Sequence, residues 1–454
     1  MKKLLLISPL ASRSLLGGDF YFRLPYLGLL KVASLTPSDW EVRIVDEKVE
    51  KIDFAQDADL IGITAMTPAA KRGYEISDAF RQRGIKVVMG GMHISKMPDE
   101  ALQHCDSVVI GEAEDIWDKV LADFERGELK KIYRHENGFP SLDNRPATNW
   151  DLYRDKGYLP VHFVETTRGC PHNCEFCSVT SSFGGRFRNR PVDEVEKEIR
   201  NLRPFEGKLT LKNVVFFADD NIISSRKHAK ELLNRIIPYN LKWLGQTSVN
   251  MAKDEEMMTL CRKSGCMGLL IGFESLSAES LASAGKSFNK PQDYIDVVNK
   301  MHDHGLGVNG SFVLGFDHDD EGVFERTIEF VIKAKLDVCY FSILTPYPGT
   351  VLHSQMEQAG RIIDRDWSNY NTNNVVFMPK LMKPEKLLEG YHQVLKESFS
   401  YSAIVKRLWG NGTYKNFFYP MNFGFRQTIL KTVRHRQEFS YSETDKSAPD
   451  GPRT

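Results

Sequence analysis

Two successive series of short apolar segments constrain the fold of this chain most strongly. The first series occupies residues 1–130 and contains five segments rich in β-branched residues: "KLLLIS", "EVRIVD", "LIGITA", "IKVVMGG" and "SVVIGE". Helical stretches such as "AAKRGYEISDAFRQRG" separate the later segments. Largely apolar strands joined by helical crossovers form parallel sheets that are covered on both faces. We therefore predict an N-terminal α/β domain whose ligand binds at the carboxyl ends of its strands.

The second series repeats this rhythm on a larger scale over residues 161–350. Its six strand segments are "HFVETT", "VVFFAD", "KWLGQTS", "GLLIGFES", "GVNGSFVLGF" and "VCYFSILTP". Six strands with helical crossovers predict a partial, open (β/α)6 barrel of the TIM type, with its site at the carboxyl ends of the strands.

Three other regions complete the predicted organisation. Residues 131–160 are irregular and contain Pro140, Pro146 and Pro160, so we predict a surface linker. Residues 351–435 read as mostly helical, with an aromatic segment at 417–425 that is more typical of a core than of a substrate pocket. The polar residues 436–454 predict a disordered tail.

Composition excludes several classes of protein. The 454 residues contain 60 Lys and Arg and 60 Asp and Glu, so the net charge gives no reason to expect nucleic acid as a partner. No apolar stretch approaches the roughly 18 residues of a membrane-spanning helix, so we expect no membrane span. Seven cysteines are too few for a disulfide scaffold in a chain of this length. We expect a reducing cytoplasm, where clustered cysteines are typical of metal ligands.

Three of these cysteines form the cluster Cys170, Cys174 and Cys177, spaced C-x3-C-x2-C directly after a predicted strand. Three thiolates on one loop suit three irons of a cubane cluster, and the fourth iron then lacks a protein ligand. The alternative is a zinc site completed by His172. The tight loop disfavours it, because structural zinc usually takes paired knuckles. Cys261, Cys266 and Cys339 lack such grouping and predict buried core positions.

The cysteine spacing, with Phe176 just before the last cysteine, resembles the radical S-adenosylmethionine (SAM) superfamily. The resemblance implies a [4Fe–4S] cluster that binds SAM through its open iron. Reductive cleavage then gives methionine and a 5′-deoxyadenosyl radical, which takes a hydrogen atom from the substrate. It also implies an electron donor such as flavodoxin or ferredoxin. The cluster ligands would be Cys170, Cys174 and Cys177.

Polar residues at the later strand ends resemble the SAM contacts of that superfamily. Asp219 and Asp220 stand where a short polar motif accepts hydrogen bonds from the methionine ammonium, and which of the two does so stays open. The other implied contacts follow the third, fourth and fifth strands or flank the cluster: Gln246, Ser248, Glu274, Gly310 and Phe176.

The N-terminal domain, placed before such a barrel, resembles the cobalamin (B12)-binding subgroup, whose sheet is flavodoxin-like or Rossmann-like. The resemblance implies a corrin between the two domains and a nucleotide tail in the N-terminal sheet. The implied contacts are at strand ends: Thr64, Met66, Thr67, Gly90, Gly91, His93 and Glu112. The D-x-H-x-x-G motif that ligates cobalt through histidine is absent, and His93 is a poor axial ligand. The alternative is a domain that binds no cobalamin and only supports the barrel.

These resemblances predict a cobalamin-dependent radical SAM enzyme that methylates an unactivated carbon. One alternative is a related enzyme that closes a ring or oxidises without methylating. Another is a non-catalytic iron–sulfur or corrinoid-binding protein. The substrate is a small molecule, lipid or peptide that the sequence does not name.

Overall fold

A computed structural model describes residues 1–11, 23–136, 138–202 and 214–444 of the chain, and within residues 431–444 it describes the side chain of Val433 alone. Two six-stranded parallel sheets, one in each half of the chain, form its framework.

The N-terminal sheet has the strand order β2-β1-β3-β4-β5-β6. Its strands are β1 (Lys2–Ser8), β2 (Trp40–Asp46), β3 (Leu60–Thr64), β4 (Lys86–Gly90), β5 (Ser107–Ile110) and β6 (Ile132–Arg134). Separate apolar clusters cover its two faces, because consecutive side chains along each buried strand point to opposite sides. The order reverses direction between β1 and β3, which is where open parallel sheets bind ligands.

Strand β6 lies beyond the predicted domain end at residue 130. Its three residues alternate exposed, buried and exposed, so it has no apolar run by which the sequence could reveal an edge strand. The predicted linker also packs on this domain, since Tyr153 belongs to one of its apolar clusters and the Tyr153 hydroxyl donates to the Tyr26 carbonyl at 2.9 Å. A short 3-10 helix, Trp150–Tyr153, lies within it.

The second sheet has the order β14-β13-β12-β11-β10-β7, so that strands adjacent in space follow one another in the chain apart from the excursion at β8 and β9. Its strands are β7 (Val161–Val164), β10 (Val214–Phe217), β11 (Lys242–Thr247), β12 (Cys266–Glu274), β13 (Gly307–Leu314) and β14 (Val338–Ile343). An antiparallel pair, β8 (Thr167–Arg168) and β9 (Arg188–Asn189), lies beside it. All pairings within this sheet are parallel, as the partial barrel prediction requires.

Helices cover the two sheets. In the N-terminal half they are α1 (Leu27–Leu35), α2 (Ala70–Gln82), α3 (Met92–Lys96), α4 (Pro98–Ala101) and α5 (Trp117–Arg126). In the barrel half they are α6 (Ser178–Phe183), α7 (Val192–Arg200), α8 (Arg226–Ile236), α9 (Glu255–Lys263), α10 (Ala278–Ser283), α11 (Tyr294–Asp303) and α12 (Val323–Lys333). The C-terminal region adds α13 (Val351–Gln358), α14 (Pro384–Ser398), α15 (Tyr401–Leu408) and α16 (Lys415–Thr444).

The C-terminal region packs against the barrel rather than standing apart. Phe418 and Phe425 of α16 are buried in the barrel core, so the aromatic segment is core, as predicted. Cys261, Cys266 and Cys339 are buried in the same core. Helix α16 continues to Thr444, into the first nine residues of the predicted tail. Residues such as Arg, Gln and Glu extend a helix once a packed segment has started it.

Residues 445–454 of the predicted tail lie outside the described residues. Among the described residues, no helix combines the length and apolarity needed to cross a bilayer.

Candidate functional site

The three clustered cysteines lie on a loop between β8 and α6, next to the carboxyl end of the second sheet. Gly169 enters the loop with φ +94°, and a Cβ there would collide with the carbonyl oxygen of Arg186. The Cys170 N–H donates to the Gly184 carbonyl at 3.3 Å, which closes the loop at its other side. The backbone therefore needs glycine at 169 to bring the first cysteine into place.

All three thiols are free and half-buried. Burial raises the pKa of each, that of Cys177 to about 11, and the Lys286 ammonium acts in the opposite direction on Cys170 and Cys174. Within the described ranges, no three His, Cys, Asp or Glu side chains gather closely enough to hold a single metal ion. Three free thiols on one loop can each bind one iron of a polynuclear cluster.

Lys286 is a site residue that the sequence does not reveal, because the side chains that it faces belong to other segments of the chain. Its Nζ lies 2.6 Å from Glu274 Oε1, and both side chains are largely buried. Burial lowers the pKa of Lys286, but Glu274 and the thiols of Cys174 and Cys177 raise it more, so its pKa lies above its ordinary value.

The segment around Lys286 packs directly on the cysteine loop. The Glu175 N–H donates to the Ala284 carbonyl at 3.1 Å. A Cβ on Gly285 would lie 2.9 Å from the Asn173 carbonyl oxygen. The rings of Phe288 and His172 stack with centroids 4.2 Å apart, so the His172 ring packs against this segment.

The structure separates the two adjacent aspartates that the sequence left equivalent. Asp219 is fully buried and accepts from the Thr166 and Thr167 N–H groups at 2.7 and 3.0 Å, and from the Thr166 hydroxyl. Burial raises the pKa of Asp219 to about 7 and that of Asp220 to about 6. Asp220 borders an open cavity and, among the described residues, accepts only from the Gly169 N–H, at 3.3 Å. Asp219 holds the backbone before the cysteines, and Asp220 is left to face a ligand.

The remaining barrel predictions fall at or near strand ends, in different roles. Glu274 ends β12 with a positive φ of 64°, and Ser248 follows β11. Gln246 lies within β11, where its carbonyl accepts from the Ile222 N–H at 3.0 Å. The Phe176 ring meets Phe316 edge-on at 5.8 Å.

Gly310 lies in the middle of β13 and not at its end. A Cβ there would lie 2.6 Å from the Leu336 side chain and 3.2 Å from Phe273. Glycine is therefore needed at 310 so that the Leu336 and Phe273 side chains can pack against β13.

A cavity of about 530 Å³ lies between the two sheets' carboxyl ends. Thr64, Gly90, Gly91 and Glu112 line it from the N-terminal domain, and Arg168, Asp220 and neighbouring residues line it from the barrel. Two polar atoms on its wall, Thr167 Oγ1 and His135 Nε2, are buried without a hydrogen-bond partner in the described structure. Buried polar groups normally have partners, so these two atoms fit a ligand that carries hydrogen-bonding groups.

Glu112 lines this cavity, but its carboxylate forms ion pairs with two arginines of the barrel. It pairs with Arg168 and with Arg188, whose Nη1 donates to Glu112 Oε2 at 2.9 Å. Arg168 also donates to Glu114 and Glu165, both at less than 3 Å. This buried ion network joins the two domains two residues before Cys170. The sequence could not reveal the network, because its members are far apart in the chain.

Met66, Thr67 and His93 do not line the cavity. Met66 is partly exposed, while His93 is 1% exposed and lies 3.3 Å from Thr67 Oγ1 through Nδ1. The other ring nitrogen lies 3.5 Å from Glu100 Oε1. His93 therefore points away from the cavity.

Comparison with protein families gives the same two units. A model of the radical SAM superfamily matches residues 164–331, and a model of the B12 binding domain matches residues 13–121. The chain is also 34% identical over 416 residues to bacteriochlorophyllide d C-12(1)-methyltransferase from Chlorobaculum tepidum, with 90% of each chain covered. The chain belongs to the B12-binding radical SAM family. The family predicted from the cysteine spacing and the N-terminal sheet is thereby confirmed.

Other relatives of this radical SAM protein agree in sequence and in fold. It is 30% identical over 383 residues to bacteriochlorophyllide d C-8(2)-methyltransferase from the same organism, covering 81% of this chain and 85% of the relative. The structure of TsrM from Kitasatospora setae, a radical SAM methyltransferase with cobalamin and a [4Fe–4S] cluster bound, superposes with a TM-score of 0.67. That match has 17% identity and covers 96% of this chain and 100% of the other. It confirms the predicted fold class.

Residues 350–416 of this radical SAM protein match a further model, described as a domain of unknown function (DUF4070). This match coincides with α13, α14 and α15 and the segment between α13 and α14.

Proposed function

We propose that this enzyme transfers a methyl group from SAM to a carbon atom of its substrate, with cobalamin as the methyl carrier. The single observation that carries the proposal is the shared cavity, which reaches from Thr64 and Gly90 of the B12-binding sheet to Asp220 beside the cysteine loop. A site of this kind brings a methyl carrier and a radical generator to one substrate, which is a proximity effect. The two methyltransferase relatives, alike over most of their length, support this chemistry.

Cys170, Cys174 and Cys177 would hold the [4Fe–4S] cluster. When bound, the cluster and SAM supply a carbon-centred radical and cobalamin supplies the methyl group. The chain's own part is to orient these groups. Lys286 places a buried positive charge near the three thiols, and Glu274 fixes that charge.

Asp220 is the aspartate that we assign to the methionine ammonium of SAM, because a carboxylate suits an ammonium and Asp219 is already satisfied. Ser248 and Gln246 are assigned to the same cofactor from their strand positions, and Phe176 to its adenine. Gly310 serves this site through the packing of β13.

Thr64, Gly90 and Gly91 would border the cobalamin. Gly91 has φ +99°, and a Cβ there would lie 2.9 Å from the Ala65 backbone. Glycine at 91 therefore lets the end of β3 pack closely against residue 91. This close packing brings Thr64 to the cavity wall. We assign Glu112 to domain joining, and we assign no cofactor contact to Met66, Thr67 or His93.

We also propose a one-electron donor such as flavodoxin or ferredoxin, and a reducing compartment, the cytoplasm, since cluster ligands must be reduced thiols.

Anaerobic reconstitution with iron, sulfide, hydroxocobalamin, a reductant and methyl-labelled SAM tests the proposal. The first acceptor to supply is a bacteriochlorophyllide, since two relatives act on one. S-adenosylhomocysteine, 5′-deoxyadenosine and label in the acceptor are the expected products. Cys174→Ala should abolish all three.

Two outcomes would contradict the proposal. 5′-Deoxyadenosine without S-adenosylhomocysteine would indicate the non-methylating reaction. Cobalamin and cluster spectra without either product, over a panel of acceptors, would indicate a binding protein.

A further inference from the structure

Residues 364–374, which we call the clasp segment, contact both domains of the protein. At one end the Ile343 N–H, at the carboxyl end of β14, donates to the Thr372 carbonyl at 2.7 Å. At the other end Trp367 reaches the N-terminal domain, far from it in sequence. The segment lies within the region that matches the domain of unknown function.

Trp367 makes the principal contact with the N-terminal domain. Its Nε1–H lies 3.1 Å from each carboxylate oxygen of Glu100 in α4. Its ring meets the His93 ring edge-on, with centroids 5.2 Å apart. Next to it, Asp366 lies 3.3 Å from the Lys71 ammonium at the start of α2.

Hydrogen bonds within the clasp segment fix its own conformation, apart from its contacts with the N-terminal domain. The Asp366 N–H donates to Asp364 Oδ1 at 2.8 Å, and the Ser368 N–H donates to Asp366 Oδ1 at 3.0 Å. Asn369 donates to the other Asp364 oxygen at 2.6 Å, and the Tyr370 ring packs on Trp367 at 4.8 Å. These internal contacts hold Trp367 in one position. Its hydrogen bond to Glu100 therefore costs little conformational entropy.

Helix α3 lies between the clasp segment and the cavity. Met92, Ser95 and Lys96 of this helix line the cavity, while His93 of the same helix faces Trp367. The Ser95 hydroxyl further accepts from the Gly111 N–H at 2.9 Å and donates to the Gly91 carbonyl at 2.8 Å. A displacement of α3 would therefore move one wall of the cavity.

We propose that residues 364–374 are an interdomain clasp, in which Trp367, through Glu100 and His93, positions α3 as a wall of the cavity between the two domains. His93 is then a positioning residue and not a cobalt ligand. The consequence for catalysis rests on the proposed function, whereas the clasp itself rests only on the contacts.

Trp367→Phe tests the clasp, because phenylalanine keeps an aromatic ring and removes the N–H. Losing a hydrogen bond to the partly buried, charged Glu100 should make amide hydrogen exchange in residues 92–101 about tenfold faster. We expect the dissociation constant for hydroxocobalamin to rise by about the same factor, because the cavity wall is less often in place. Trp409→Phe is the matched control in the same region, since Trp409 is 73% exposed, and it should change neither value.

A double-mutant cycle with Glu100→Gln identifies the contact. If Trp367 acts through Glu100, the double variant should exchange no faster than the worse single variant. Additive effects, exchange that quickens equally in the barrel strands, or exchange and cobalamin affinity within twofold of the parent protein would each overturn the clasp. Exchange and binding are measured without SAM or acceptor, so an absence of methyl transfer would count against the proposed function alone.

Discussion

At the scale of single residues, chemistry in the site is set by pairs that are distant in the chain. Asp219 and Asp220 are adjacent in sequence, yet Asp219 accepts hydrogen bonds from three donors and Asp220 faces the cavity. Lys286 illustrates the same point, because its partner Glu274 is on another element and its neighbours Cys174 and Cys177 are on a third.

Lys286→Met should impair both stability and cluster loading. Removing one member of a buried ion pair leaves the Glu274 charge uncompensated, which typically costs about 3–5 kcal/mol. We expect a lower thermal midpoint and fewer irons per chain after reconstitution. Combining Lys286→Met with Glu274→Gln should recover most of the stability but not the iron content.

The exposed neighbour Lys290 provides the control, and Lys290→Met should leave both measurements unchanged. A normal iron content in Lys286→Met would contradict the role of this charge beside the thiols.

At the scale of elements, the apolar strands were predictable and the polar connections between them were not. Each of the eleven apolar segments of the sequence becomes a strand, since burial on both faces demands a continuous apolar run. The connection after β13 shows what such a pattern omits. There Asp319 accepts from the Gly315 and Phe316 N–H groups at 2.9 and 3.0 Å and from the Ser280 hydroxyl of α10 at 3.0 Å.

Asp319 gives this connection a pH dependence. Burial raises the pKa of Asp319 from 3.8 to about 6, so the folded protein holds this proton more tightly than the unfolded chain. Its stabilising effect is complete below about pH 4 and is lost as the pH rises through 6. Relative to Asp319→Asn, the free energy of unfolding of the parent protein should fall by about 1 kcal/mol between pH 5 and pH 7.

Urea unfolding at a series of pH values measures this difference directly. A constant difference between the two proteins across that range would show that the Asp319 carboxyl titrates at its ordinary value.

At the scale of the whole molecule, two sheets share one cavity because a buried ion network and the clasp segment hold them together. Glu112 is central to the network, since it is 5% exposed and pairs with arginines at two positions of the barrel.

Glu112→Gln should loosen the domain interface. Arg168 keeps Glu114 and Glu165, but Arg188 loses its acidic partner in the described structure, so we expect the free energy of unfolding to fall by about 3 kcal/mol. Urea unfolding, followed with hydrogen exchange in β5 and β9, locates the loss. The control is Asp115→Asn, because Asp115 pairs with Arg145 while 53% exposed, and such pairs contribute about 1 kcal/mol or less. An equal fall in the free energy of unfolding of the two variants would contradict the claim that the buried network stabilises the interface more than an exposed ion pair does.

The sequence by itself determined the two parallel sheets, the cysteine loop and hence the family. These depend on local signals: apolar runs of strand length, and three thiols within eight residues. A short edge strand such as β6 escaped, because an edge needs no apolar run.

Only the tertiary structure decided the use of each polar side chain at the site. In the folded protein His93 contacts Trp367, Glu112 pairs with two arginines, and the Lys286 charge interacts with the cysteine thiols. The physical reason is that a buried polar group must find a partner in space, and a parallel sheet brings to one edge residues that the chain keeps far apart.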